Sequence, residues 1–111
     1  MSGVIQRETS IAANATNDNL VSGSAFEFAQ RNQIVSLGIT AAATGLFCTI
    51  QAGPQIILEE SPMPIATRFP IVPDEFYYIF AMAQGDRLVV RVRNSTAGAL
   101  VSRLLAQVAD A

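Results

Sequence analysis

No charged residue occurs between Arg31 and Glu59, and within that stretch Ile34 to Ile50 is apolar enough to cross a membrane on hydropathy alone. The order of its side chains points elsewhere. β-Branched residues dominate, Gly38, Gly45 and Gly53-Pro54 interrupt the run, and Ser36, Thr40, Thr44 and Thr49 are scattered through it. Val35, Leu37 and Ile39 share one face of an extended chain, and Leu46, Cys48 and Ile50 alternate with Phe47, Thr49 and Gln51. The spacing predicts two buried strands joined as a hairpin, with Gly45 near the turn position that needs a positive φ, and no membrane as a partner.

The same patterning extends along the chain. Residues 1–24 are polar and turn-rich, with the run Asn14-Ala15-Thr16-Asn17-Asp18-Asn19 followed by Ser22-Gly23-Ser24, and read as a polar N-terminal arm or edge strands. In Ala25-Phe26-Glu27-Phe28-Ala29 the phenylalanines fall on one face and Glu27 on the other, the pattern of a half-buried strand. Gln55 to Glu59 starts a further short strand. All five prolines lie between Pro54 and Pro73, which marks a surface crossing between sheets or an edge strand, since proline cannot donate to a ladder.

Phe76 to Met82 is apolar on both faces and reads as a central strand or one buried in a subunit interface. Gln84-Gly85-Asp86 then turns the chain into Leu88, Val90 and Val92 as a second hairpin. Residues 99–109 fit a final strand, with a helix as the competing period. The expected fold is all-β: a single antiparallel β-sandwich of about seven or eight strands, with residues 25–111 as its domain and with first and last strands able to pair.

Composition limits the chemistry. The 111 residues include no His and no Lys, so all seven basic residues are Arg, and there is a single Cys. Histidine-dependent nucleophiles and bases, lysine Schiff bases and Lys-containing phosphate loops are therefore excluded, as are an intrachain disulfide and a Cys-rich metal site. Cys48, between apolar neighbours, reads as a small buried hydrophobe.

Adjacent Glu59-Glu60 and Asp74-Glu75 would point to opposite faces of a strand, the wrong geometry for an acid/base pair, and Asp86 reads as a turn residue. Asp18 lacks the alternating oxygen ligands of a calcium loop. The triplets Asn14-Ala15-Thr16 and Asn94-Ser95-Thr96 match the glycosylation pattern, but the first residues show no secretory leader. The expectation is a protein that is not an enzyme, with no cofactor and no metal.

A net charge of −2 disfavours nucleic acid as a partner. The tightest basic group is Arg87, Arg91 and Arg93, which on a strand share a face with Val89. Such a group serves as a solvated or ion-paired face, or as a protein contact, because arginine and aromatics are favoured at interfaces. Arg87, Arg91 and Arg93 with Phe69, Phe76, Tyr77 and Tyr78 form the candidate interface.

The stretch from Gly45-Leu46-Phe47-Cys48-Thr49-Ile50-Gln51-Ala52-Gly53, through Pro73-Asp74-Glu75, to Gly85-Asp86-Arg87-Leu88-Val89-Val90-Arg91-Val92-Arg93-Asn94-Ser95-Thr96 resembles small β-sandwich structural proteins of tailed bacteriophages. The resemblance implies a capsid decoration or cement protein, its β-sandwich jelly-roll-like. It would be a homo-oligomer, usually a trimer, bound to the major capsid protein on the virion surface after assembly in the host cytoplasm. The competing expectation is a carbohydrate- or ligand-binding β-sandwich module using Tyr77, Tyr78 or Phe69 as a stacking platform.

Overall fold

Alternating burial organises the chain into eight strands and no helix among the described residues, which in this computed structural model are 3–24, 27–70 and 78–110. The strands are β1 (Gly3–Ile11), β2 (Thr16–Asn17), β3 (Gln33–Ala41), β4 (Leu46–Ala52), β5 (Gln55–Pro62), β6 (Tyr78–Met82), β7 (Leu88–Asn94) and β8 (Leu100–Asp110). They form two antiparallel sheets, β1-β8-β3-β6 and β2-β7-β4-β5. The neighbouring pairs β1·β8, β2·β7, β3·β6 and β4·β5 are the rungs of one long antiparallel ribbon wrapped across both sheets. This is the jelly-roll arrangement of a β-sandwich.

The core lies between the sheets. From the first come Ile5, Ile11, Val35, Leu37, Ile39, Phe80, Met82, Leu104, Ala106 and Val108, and from the second Leu46, Cys48, Ile50, Leu88, Val90 and Val92. These are the period-two positions of each strand, because alternate side chains of a pleated chain point to opposite faces. First and last strands do pair: β1 and β8 run antiparallel from Gly3 opposite Val108 to Ile11 opposite Leu100. Residues 99–109 resolve as strand rather than helix.

Four local expectations are corrected. β3 and β4 do not form a hairpin. They lie in different sheets, and Gly45, at φ 122, sits in a connection that crosses the sandwich. β6 and β7 are likewise separated between the sheets. The tight hairpin is β4–β5, turned by Gly53-Pro54 between paired Ala52 and Gln55, with Gly53 at φ 57 where a two-residue turn needs a positive first φ. β6, expected either in the centre or buried in a subunit interface, is not central: it is an edge strand paired on one side by β3, and Ile79 is 67% exposed.

The fourth correction concerns residues 25–29. Among those described, Phe28 forms only an isolated bridge to Arg87, and the faces are inverted: Glu27 is buried and Phe28 is 55% exposed. The reason is electrostatic. Glu27 accepts hydrogen bonds from Gly23 N–H at 2.9 Å and from Arg87 Nε at 2.8 Å, which together hold its carboxylate inward.

Residues 3–24 supply an edge strand to each sheet, with Leu20 and Val21 buried beyond β2. The proline-rich segment behaves as expected. β5 is an edge strand ending at Pro62, after which Ala41 accepts Ala66 N–H and donates to the Pro64 carbonyl as the chain crosses back.

Candidate assembly surface

Register fixes which side chains look out from each sheet. On β2-β7-β4-β5 the outward residues of β7 are Val89, Arg91 and Arg93, so the expected arginine face holds for Arg91 and Arg93, whereas Arg87 precedes the strand. Arg93 makes two hydrogen bonds to Glu60 on β5, at 3.1 and 2.8 Å, and its guanidinium lies 4.9 Å from the Phe47 ring centroid. The bond to Arg93 holds the Glu60 carboxyl below its ordinary pKa. Arg87 is committed to Glu27 and lies over Phe28 at 5.9 Å. Arg91 is exposed and carries no ion pair among the described residues. This sheet's outer face thus combines the Arg93–Glu60 pair and the exposed Arg91 with apolar Phe47, Val89 and Ile56, the last 61% exposed.

The outer face of β1-β8-β3-β6 is divided. At one end, Glu8 pairs with Arg103 at 2.8 Å and Thr40 donates to the Arg68 carbonyl at 2.8 Å, so the crossing chain covers this end. At the other end the register builds one row of Val4, Gln107, Ser36 and Ile79, and a second of Ala109, Ile34 and Ala81. Val4 is 60% exposed, Ile79 67% and Ile34 37%, and neither row contains a charge. Exposed large apolar residues gathered on a sheet face of this kind mark a contact surface.

Of the candidate aromatics, Tyr78 and Phe69 are among the described residues. Tyr78 lies in the inward-facing row of β6 and is half-buried, and Phe69 is half-buried on the crossing segment. Phe76 and Tyr77 lie outside the described residues. Among the described residues there is no pocket, and no cluster of three or more His, Cys, Asp or Glu is placed to hold a metal ion.

Two asparagines bond across the strands here; in the sequence Asn19 belongs to a turn-rich run and Asn94 to a glycosylation triplet. Asn19 is buried: its Nδ2 donates to the Leu88 carbonyl at 3.0 Å, and its Oδ1 accepts the N–H groups of Val21 and Val90, each at 3.1 Å. Its side chain continues the ladder along β7 where the β2 backbone stops. Asn94 is 1% exposed, and its Nδ2 donates to the carbonyls of Ile11 and Gly98, tying β7 to the end of β1 across the two sheets. An amide buried and bonded in this way is closed to glycosylation.

Burial pushes the Cys48 thiol up to about 11. Since the thiolate is the reactive form, the native protein should resist a thiol-exchange reagent at pH 8 and release one equivalent in denaturant. Rapid native labelling would contradict the placement of Cys48 in the core.

Glu27 supplies a pH prediction. Its bond from Gly23 N–H, and next that from Arg87, lower its folded pKa below the ordinary 4.5. The resulting stability is present above the unfolded value and is lost as pH falls through the folded one. Acid melts of the wild type should thus show a decline below pH 4.5 that Glu27→Gln reduces, and superimposable pH dependences would count against the latch.

Compared with protein-family models, curated proteins and solved structures, the chain matches none significantly.

Proposed function

We propose that this protein is a structural subunit that associates with copies of itself and decorates a shell of major capsid protein, acting as a cement at the virion surface. The observation that supports this most is the uncharged, exposed end of the β1-β8-β3-β6 face, where Val4, Ile34 and Ile79 stand open to solvent in the single chain. Leaving such side chains in water forfeits apolar burial that a neighbouring subunit would supply. The fold is compatible, since jelly rolls build viral capsid domains as well as lectins, but fold alone does not choose between them. What favours protein contact is the uncharged, exposed end of the β1-β8-β3-β6 face.

The reading is tested in two steps. Light scattering in dilute buffer should return a multiple of the 11.8 kDa chain mass. Immunogold labelling of particles from the source should then place the chain on shells. A concentration-independent monomer, or label confined to the particle-free fraction, would overturn it.

A further inference from the structure

We propose that β6 is a self-pairing edge: two copies join antiparallel along it about a two-fold axis, fusing their four-stranded sheets into one of eight strands. This rests on the self-association proposed above and specifies its seam and its symmetry. A sandwich of two open sheets has four edge strands, here β1 and β6 in one sheet and β2 and β5 in the other. Exposed edges are templates for another chain, and proteins blunt those that must stay single with charge, proline or brevity.

Three of the four edges carry such protection. β1 contains Arg7 and Glu8, β5 contains Glu59, Glu60 and Pro62, and β2 is only two residues long. β6, Tyr78-Ile79-Phe80-Ala81-Met82, has no charge and no proline, and among the described residues no strand pairs with it on the side away from β3.

The occupant follows from self-complementarity. In a two-fold antiparallel seam a strand meets its own sequence, so every charge on it meets a like charge nearby. β5 against itself would crowd four glutamates, whereas β6 against itself opposes none. Centred on Phe80, the seam sets Ile79 of each copy opposite Ala81 of the other. On the outer face each row then runs apolar from Ile34 of one copy through its Ala81 to Ile79 of the other, where that copy's Ser36 ends it. An isologous contact of this kind pairs copies two by two, in contrast to the trimer that the resemblance implies.

Sedimentation velocity over a wide concentration range distinguishes the possibilities, with wild type beside Ile79→Lys, a position exposed enough in the single chain for lysine to leave the fold intact. A wild-type dimer is expected, with a dissociation constant raised at least several-fold in the variant, because the seam sets two like charges at diagonal positions on one face and loses the apolar contact of Ile79 with Ala81. Amide exchange of wild-type residues 79–82 should in addition quicken on dilution, a readout that needs no variant. A trimer would overturn the seam and leave self-association standing. A wild-type monomer at every concentration would overturn both. A dimer unaffected by Ile79→Lys, with exchange at residues 79–82 independent of concentration, would place the contact elsewhere and overturn the seam alone.

Discussion

Removal of residues 1–20 is expected to abolish cooperative unfolding, leaving a chain that gives no sigmoidal transition in urea and exposes apolar surface to a dye. The deletion takes all of β1 and β2, and with them the ladder to β8 that runs from Gly3–Val108 to Ile11–Leu100. It also removes Ile5, Ile11 and Leu20 from the core. At about 1.5–3 kcal/mol per buried side chain of this size, these three alone amount to roughly 5–9 kcal/mol. That is comparable with the whole stability of a small domain, about 5–15 kcal/mol. β8 would become an edge strand at the same time. An arm attached to a sandwich complete without it predicts the reverse, a truncated protein melting cooperatively near the wild-type midpoint. Such a result would show that β1 contributes little to the fold.

Which parts of this architecture were legible in sequence follows from what a period of two encodes. Alternation reports which face of a strand is buried, because the pleat sets successive side chains opposite each other. The inward sets Val35/Leu37/Ile39, Leu46/Cys48/Ile50 and Leu88/Val90/Val92 were readable for that reason, and so was the outward alignment of Arg91 and Arg93. Alternation does not report the partner. A loop between two apolar strands can return the chain into the same sheet or carry it across the sandwich with identical face assignments. The β3–β4 and β6–β7 connections both cross, although their sequences also fit hairpins.

Phe76–Met82 illustrates a second limit. Apolar residues on both faces of a strand describe a central position and an unpartnered edge equally well. Only the register, which opposes Ile79 to Ser36 on the outer face, separates them. Residues 27 and 28 illustrate a third: a pattern as short as Phe-Glu-Phe can be overruled by one ion pair, and Arg87, sixty positions away, determines that Glu27 turns inward. The apolar end of the outer face, the main support for an assembly role, was invisible for a related reason. Val4, Ile34, Ile79 and Ala81 come from three strands far apart in sequence, and only the sheet order gathers them.

Asn19→Ala should be the most damaging of the polar point substitutions, lowering unfolding free energy in urea by about 3–4 kcal/mol, because a buried backbone group left without a partner costs about 1–3 kcal/mol. The truncation leaves the Val90 N–H and the Leu88 carbonyl of β7, together with the Val21 N–H, without the side-chain atoms that satisfy them. A cavity too small to admit several waters would compound the loss, since Val90 and Leu88 are fully buried. Asn19→Asp separates hydrogen bonding from shape. It keeps an oxygen for the two N–H groups but sets a carboxylate facing the Leu88 carbonyl where Nδ2 donated. Its deficit should therefore shrink as pH is lowered and the acid is protonated, while that of Asn19→Ala shows no such recovery relative to wild type. A loss below about 0.5 kcal/mol for Asn19→Ala, the range of ordinary surface changes, would mean that solvent or a shifted backbone replaces these bonds, and that the β7 ladder ends at β2 without help from a side chain.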